Sequence, residues 1–291
     1  MFLEQLINGI TLGMVYALIA VGYSLVFGIL RLVNFSHGSV YAFGAHFALL
    51  FISMNMGIIP AIALSVILTG VLGVLIDKSA LQPLRSKKSK PIAALITTIG
   101  ISYIIQNLLM IGFGSQTKFF PKLFDYGTVN ILGSRIGTTQ LFIFLVSLVL
   151  LSVLTYIIRF TKVGLAMRAV EQNQKAAHLM GIDVNKVITF TFFLGGASAA
   201  IAGSLISGYY QMVYAGMGFM AGMKAFSAAV LGGIGVLYGS IFGGIVVGIS
   251  ESFAATYLGG SYRDAVAFVI LILVLLVRPN GLFGKKGITK V

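Results

Sequence analysis

The sequence predicts an all-α, polytopic integral membrane protein with eight or nine transmembrane helices. Two observations predict it. Apolar residues make up 58% of the 291-residue chain and charged residues 9%, whereas soluble domains carry about 25% charged residues. Apolar runs of roughly 20 residues also recur from end to end, each long enough to cross a hydrocarbon core ~30 Å thick. A transmembrane β-barrel would need alternating segments of ~10 residues, and these runs are too long and too uniformly apolar.

The elements follow in order. The first apolar run, Leu6–Leu30, has no basic segment before it and no small-residue cleavage site. It reads as a retained span rather than a signal peptide. Further spans are predicted over Gly38–Asn55, Ile58–Ile76, Ile92–Phe113, Thr138–Ile158, Val187–Gly208, Phe219–Val236, Gly239–Leu258 and Ala265–Val277. The last offers only 13 purely apolar residues, so Tyr262–Asp264 must snorkel or the span is partial. The glycine-rich pair 219–258 suggests a re-entrant or broken helix. Loop 114–137 shows no fold of its own and reads as a connector or a docking surface. The whole of 1–291 is expected to be one transmembrane domain.

Lys and Arg set the orientation. Arg31, loop 78–90, segment 159–186 and the tail 278–291 hold 15 basic residues, while Lys118, Lys122, Arg135 and Arg263 lie on the opposite side. Nine crossings place all four basic segments on one face, with the N-terminus outside and the C-terminus in the cytoplasm. A net charge of +13 therefore reflects topology, not nucleic-acid binding. Gly38-Ser39-Val40-Tyr41 and Gly239-Ser240-Ile241-Phe242 form a faint echo, each opening a span directed outward, as in transporters built from repeats.

Small residues recur at four-residue spacing: Gly235, Gly239 and Gly243; Gly244 and Gly248; and Gly196, Ala200, Gly203 and Ser207. Such stripes let helices approach closely in lipid, either within this chain or against a conduit or partner. Charged residues in spans cost about 2.5–3.5 kcal/mol at the helix centre, which singles out Glu251 and Lys224. Gln106 and Asn107, and the cluster Asn34, Ser36 and His37, complete the polar groups expected along a translocation pathway. Ser36 is placed to cap the following helix. His37 and His46 have no carboxylate partner and no metal-binding spacing.

The chain has no cysteine, which excludes disulfides and thiol chemistry. It lacks a phosphate-binding Gly-rich loop; GFGSQTK at 112–118 has the wrong spacing. It has no Ser–His–acid or paired-carboxylate constellation, so catalysis and ATP hydrolysis must lie elsewhere.

One segment stands apart. Residues 168–183, RAVEQNQKAAHLMGID, are polar in an otherwise apolar chain. The pattern predicts a short helix with Arg168, Glu171, Lys175 and His178 on one face and Leu165, Ala169, Ala176 and Met180 on the other. Glu171 and Lys175 have the favourable i, i+4 order. Gly181 can end the helix in a left-handed conformation, and Asp183 can cap the next. A helix this short needs something to pack on: the membrane surface, or a groove in a soluble partner.

KAAHLMG (175–181) resembles the Glu-Ala-Ala-x-x-x-Gly coupling motif of ABC importer permeases, with Lys175 in place of Glu. NGITLGMVYALIAVGYSLVFGILRLVNFSHGSVYAFGAH (8–46), GLAMRAVEQNQKAAHLMGIDV (164–184), GGIGVLYGSIFGGIVVGISE (232–251) and RPNGLFG (278–284) together resemble branched-chain amino acid ABC transporter permeases. Tyr238 stands where that family often has Pro. The resemblance implies a plasma-membrane permease of a bacterium or archaeon with no cofactor of its own. A second related permease would complete the conduit, two ATPase subunits would bind ATP and Mg, and an extracytoplasmic binding protein would deliver the solute. It implies that loop 161–186, through Arg168, Glu171, Lys175, Ala176, Ala177 and Gly181, couples to the ATPase. Leucine, isoleucine and valine are the implied solutes, with urea, short amides or other amino acids as alternatives. A stand-alone secondary carrier or channel is the rival of another class.

Overall fold

The computed structural model describes residues 2–87, 89–124, 127–131 and 134–284. Lys88, Lys285, Lys286 and Lys290 of the basic segments lie outside the described residues.

All nine expected spans are helices: α1 (Phe2–Leu30), α2 (His37–Ser53), α3 (Ile58–Ile76), α5 (Pro91–Phe113), α6 (Thr138–Phe160), α9 (Val184–Tyr210), α10 (Met217–Gly232), α11 (Leu237–Tyr257) and α12 (Arg263–Val277). Among the described residues seven helices are long and apolar enough to cross a membrane. α12 reaches that length only with the turn Gly260–Tyr262 before it, and α2 and α10, at 17 and 16 residues, fall short of it. α3 continues through a π-turn at Asp77–Leu81 into α4 (Gln82–Ser86). The Asp77 carboxylate is fully buried there, accepting from Arg85 Nη1 at 2.6 Å and from the Thr189 hydroxyl at 2.8 Å. Two short helices, α7 (Lys162–Gln172) and α8 (Gln174–Leu179), form a limb at one end of the bundle.

Loop 114–137 is more ordered than expected. β1 (Lys118–Phe119) pairs antiparallel with β4 (Met212–Val213), Lys118 opposite Val213. β2 (Thr128–Ile131) pairs with β3 (Ser134–Gly137) as a hairpin, Thr128 opposite Gly137. The strands lie at the end opposite the limb. Arg31, Arg85, Arg159, Arg168, Lys175 and Arg278 lie toward the limb end; Lys118, Lys122 and Arg263 lie toward the strand end.

α1 is the axis of the molecule. Val15, Ala17, Leu18, Ile19, Ala20 and Val21 are wholly enclosed by α9, α10 and α11. α5, α6 and α12 are peripheral and leave apolar faces uncovered, as membrane helices do toward lipid or a neighbour.

The first three helices and the helices α9–α11 repeat one another. The same spacing relates the left-handed residues Arg31 and Gln211 that end α1 and α9 and the helix starts His37 and Met217, and the starts of α3 and α11 fall one residue short of it. The packing repeats too: α3 on α9 matches α11 on α1, α2 on α9 matches α10 on α1, and α5 on α2 matches α12 on α10. α1 runs toward the limb end and α9 away from it, so the two arms are inverted. They cross at Gly38 and Gly218, where a Cβ on either glycine would stand 2.3 Å from the other's carbonyl oxygen. The tetrapeptide echo at 38–41 and 239–242 is therefore not the repeat. Gly38 answers to Gly218, and α11 answers to α3. The echo reflects a shared need for small residues.

Both α2 and α10 start inside the bundle. After α1 ends, residues 31–36 turn back so that Asn34, Ser36 and His37 are buried. After α9 ends, Val213 and Ala215 are buried in the same way before α10 begins. These short helices carry irregular backbone into the membrane region: α10, within the pair 219–258 where a re-entrant or broken helix was expected, and α2, where none was.

Candidate functional site

The limb is built from its first residues. Thr161 caps α7, its hydroxyl accepting from the Gly164 N–H at 3.1 Å. Gly164 sits so tightly on α6 that a Cβ would lie 2.2 Å from the Ile158 carbonyl oxygen. Arg168 Nη1 donates to the carbonyls of Ile158 and Arg159, capping the end of α6, where carbonyls lack helical partners and the dipole favours a cation. The predicted single helix is broken at Asn173, whose extended backbone ends α7 and whose Oδ1 accepts from the Ala176 N–H at 3.0 Å to start α8. The break alters the predicted faces. Met167, Val170 and Ala177 are the buried residues, while Leu165 and Met180 are exposed. Gln174 Nε2 donates to the Ile29 carbonyl at 2.8 Å, tying α8 to the end of α1. Glu171 lies over Gly28.

Among the described residues the tip of the limb is left almost uncovered. Leu179 and Met180 are 86% and 83% exposed, and Lys175, Ala176 and Gly181 are exposed beside them. Gly181 takes the left-handed conformation its position suggests, φ 83°. Asp183 accepts from the Lys186 N–H at 3.1 Å and caps α9. That hydrogen bond holds its carboxyl below the usual range. Between the limb and the bundle lies a cavity of about 730 Å³, lined by Arg31, Arg159, Arg168, Glu171, Tyr238 and Asn280 among others. Arg159 stacks on Tyr238 with its guanidinium 4.2 Å from the ring centroid, a cation–π contact.

The polar residues singled out in the spans fall into three places. Asn34, Ser36 and His37 form the buried turn before α2. Ser36 does not cap that helix; its hydroxyl and N–H both donate to Asn34 Oδ1, at 2.6 and 3.1 Å. Asparagine outcompetes the cap because its side chain closes the turn on its own backbone. His37 packs edge-on against Tyr23, ring centroids 4.8 Å apart. On α5, Gln106 is half-buried toward Gly216, whereas Asn107 is exposed and donates to the Tyr103 carbonyl at 2.8 Å. Asn107 is thus apart from Glu251.

Glu251 and Lys224 meet. Lys224 Nζ lies 2.9 Å from Glu251 Oε1 and 2.6 Å from Asp264 Oδ1, and Arg263 Nε also reaches Glu251 Oε1. Sequence reasoning missed Arg263 and Asp264. The signal was the shortness of the last apolar run, which draws these two residues into the bundle at the start of α12.

The glycines pack as two sets. Gly239 and Gly243 meet α10 at the backbone of Gly232 and Ala228, while Gly244 and Gly248 meet α1 at Ala17 and Gly13. Gly235, with φ 90°, lies in the turn before α11 and is not part of a helical stripe. Among the described residues no group of three His, Cys, Asp or Glu could hold a metal.

Residues 5–275 match the family model for the branched-chain amino acid transport system, permease component. The chain belongs to this family. It is 41% identical to the high-affinity branched-chain amino acid transport system permease protein LivH of Salmonella typhimurium, covering 100% of this chain and 98% of that one. It is 40% identical to BraD of Pseudomonas aeruginosa, described in the same words, with the same coverage. A probable branched-chain amino acid transport permease of Methanocaldococcus jannaschii is 30% identical over 92% of this chain and 88% of its own. The family is a permease component, a non-catalytic membrane part of a transport system.

Proposed function

We propose that this chain is one membrane subunit of an ATP-driven importer for leucine, isoleucine and valine, with the limb end in the cytoplasm. A second related permease completes the conduit, two ATPase subunits bind beneath, and an extracytoplasmic protein delivers the solute. One observation supports the coupling role most directly. The tip of the limb is apolar, almost fully exposed and carried on a short helix tied to α1 by one hydrogen bond. A short amphipathic helix with no cover of its own is suited to a groove in a soluble neighbour. A push there passes to α1 through Gln174 and to α6 through Arg168. The plasma membrane of a bacterium or archaeon is the proposed location, and ATP and Mg belong to the partners.

In reconstituted complexes, Leu179→Asp and Gly181→Asp should cut solute uptake at least tenfold while ATP hydrolysis continues and membrane insertion is unchanged. Normal uptake in both variants would remove the coupling role. The inverted arms also suit a stand-alone carrier. Uptake by the purified chain alone, driven by an ion gradient, would establish that alternative.

A further inference from the structure

We propose that the cavity between α1, α9, α10 and α12 at the strand end binds a zwitterionic α-amino acid, its head group on Arg263 and Asp264 and its side chain among Ile206, Met217 and Met220. The inference deepens the transport reading above and rests on it.

The cavity measures about 250 Å³, the space of about eight waters at ~30 Å³ each. That is room for one small amino acid and too little for a peptide. One wall is charged and holds both signs: Lys224 and Arg263, with Asp264 beside them. Asp264 is 47% exposed at the side chain and is open to an arriving ammonium group. Arg263 engages Glu251 through Nε, which leaves the Nη pair of its fork for a carboxylate. Ile206, Met217, Met220 and Ala221 form the apolar wall. Methionine packs against branched side chains of varied shape.

One buried polar atom at this place has no hydrogen-bond partner among the described residues, Tyr210 Oη. Tyr210 lines the cavity and lies under the Arg263 guanidinium at 4.7 Å; Glu251 lies directly behind Lys224. Unsatisfied buried polar groups are uncommon in folded proteins, and a phenol hydroxyl left open on the cavity wall points to a polar ligand that completes it. The charges are not part of the repeated frame. At the spacing that relates Gly38 to Gly218, the counterpart of Lys224 in the other arm is Gly44, and the buried charge of that arm, Asp77, pairs with Arg85 at the end of α3 instead. Charged groups in a membrane bundle are costly, and here Lys224, Arg263 and Asp264 line an open cavity.

The test is direct binding of radiolabelled leucine to the purified transport complex in nanodiscs, without the binding protein. The expected result is saturable leucine binding that 4-methylpentanoate, lacking the amine, and isoamylamine, lacking the carboxylate, displace at least tenfold less well than leucine. Asp264→Asn and Arg263→Gln should each weaken binding at least tenfold, and Arg263→Lys less. Since the chain has no cysteine, Met220→Cys introduces a thiol whose maleimide labelling leucine should slow, at least fivefold, and the two analogues should not. This second readout leaves the charge cluster intact. Unchanged labelling in saturating leucine, or equal displacement by all three compounds, would overturn the site. Leucine transport with no binding at this cavity would sink the site and leave the transport reading standing. Failure of the wild-type complex to transport leucine would sink that reading itself.

Discussion

Gly38 and Gly218 hold their places because of distance, not conformational freedom. Each lies within 2.3 Å of the other's carbonyl once a Cβ is added, so any side chain must push the arms apart. Overpacking of this kind costs about 1–3 kcal/mol or more. Gly100 and Gly112, inside α5, meet nothing within 4 Å, and alanine there should gain up to about 1 kcal/mol of helix propensity. Thermal unfolding in detergent should therefore show Gly38→Ala and Gly218→Ala falling and Gly100→Ala unchanged or rising. Equal shifts in all three would mean the crossing is not tight. The sequence marks such glycines only in part. Four-residue spacing found Gly239, Gly243, Gly244 and Gly248 but merged neighbours that face different helices. At 3.6 residues per turn, residues 243 and 244 already point about 100° apart. Lys224 and Glu251 were conspicuous because charge is rare in the spans; their pairing with Arg263 and Asp264 depends on folding that spacing does not encode.

Among the elements, hydropathy located every span, and Ile58–Ile76 matched to the residue. It could not show that α3 continues to Ser86, because that extension depends on Asp77 meeting Arg85 and Thr189, one of them far along the chain. Nor could it find the strands of loop 114–137, since β1 is completed by β4 from beyond α9. The limb was recognised as a separate element, but its break was not. Helical periodicity runs unbroken through Asn173, and only the capping contact to Ala176 reveals the end of one helix and the start of another. Asn173→Ala removes that cap, at a cost of about 1 kcal/mol, and favours a single straight helix. It should lower uptake per ATP hydrolysed several-fold while leaving the amount of assembled complex unchanged. A coupling ratio equal to wild type would show that the bend has no part in transmission.

At the scale of the whole molecule, Arg31, Arg159 and Arg168 converge on one cavity at the limb end, whereas Lys118 lies at the other. The excess of Lys and Arg predicts which end stays in the cytoplasm. Because the natural chain has no thiol, Lys118→Cys and Leu179→Cys each report one end. A membrane-impermeant maleimide should label the first in intact cells and the second only after permeabilisation; the reverse pattern would invert the topology and detach the limb from any cytoplasmic neighbour. The repeat itself was nearly illegible in the residues. Arg31 and Gln211, or His37 and Met217, share a backbone role and no chemistry.

The reciprocal fit at Gly38 and Gly218 carries a consequence for ancestry. If the two arms descend from one duplicated segment, that forerunner had to enter the membrane in both directions for two copies to meet face to face. Joining them in a single polypeptide, through the limb and two peripheral helices, fixed one copy upright and the other upside down. Each then became free to diverge, and only one brought Lys224, Glu251, Arg263 and Asp264 together.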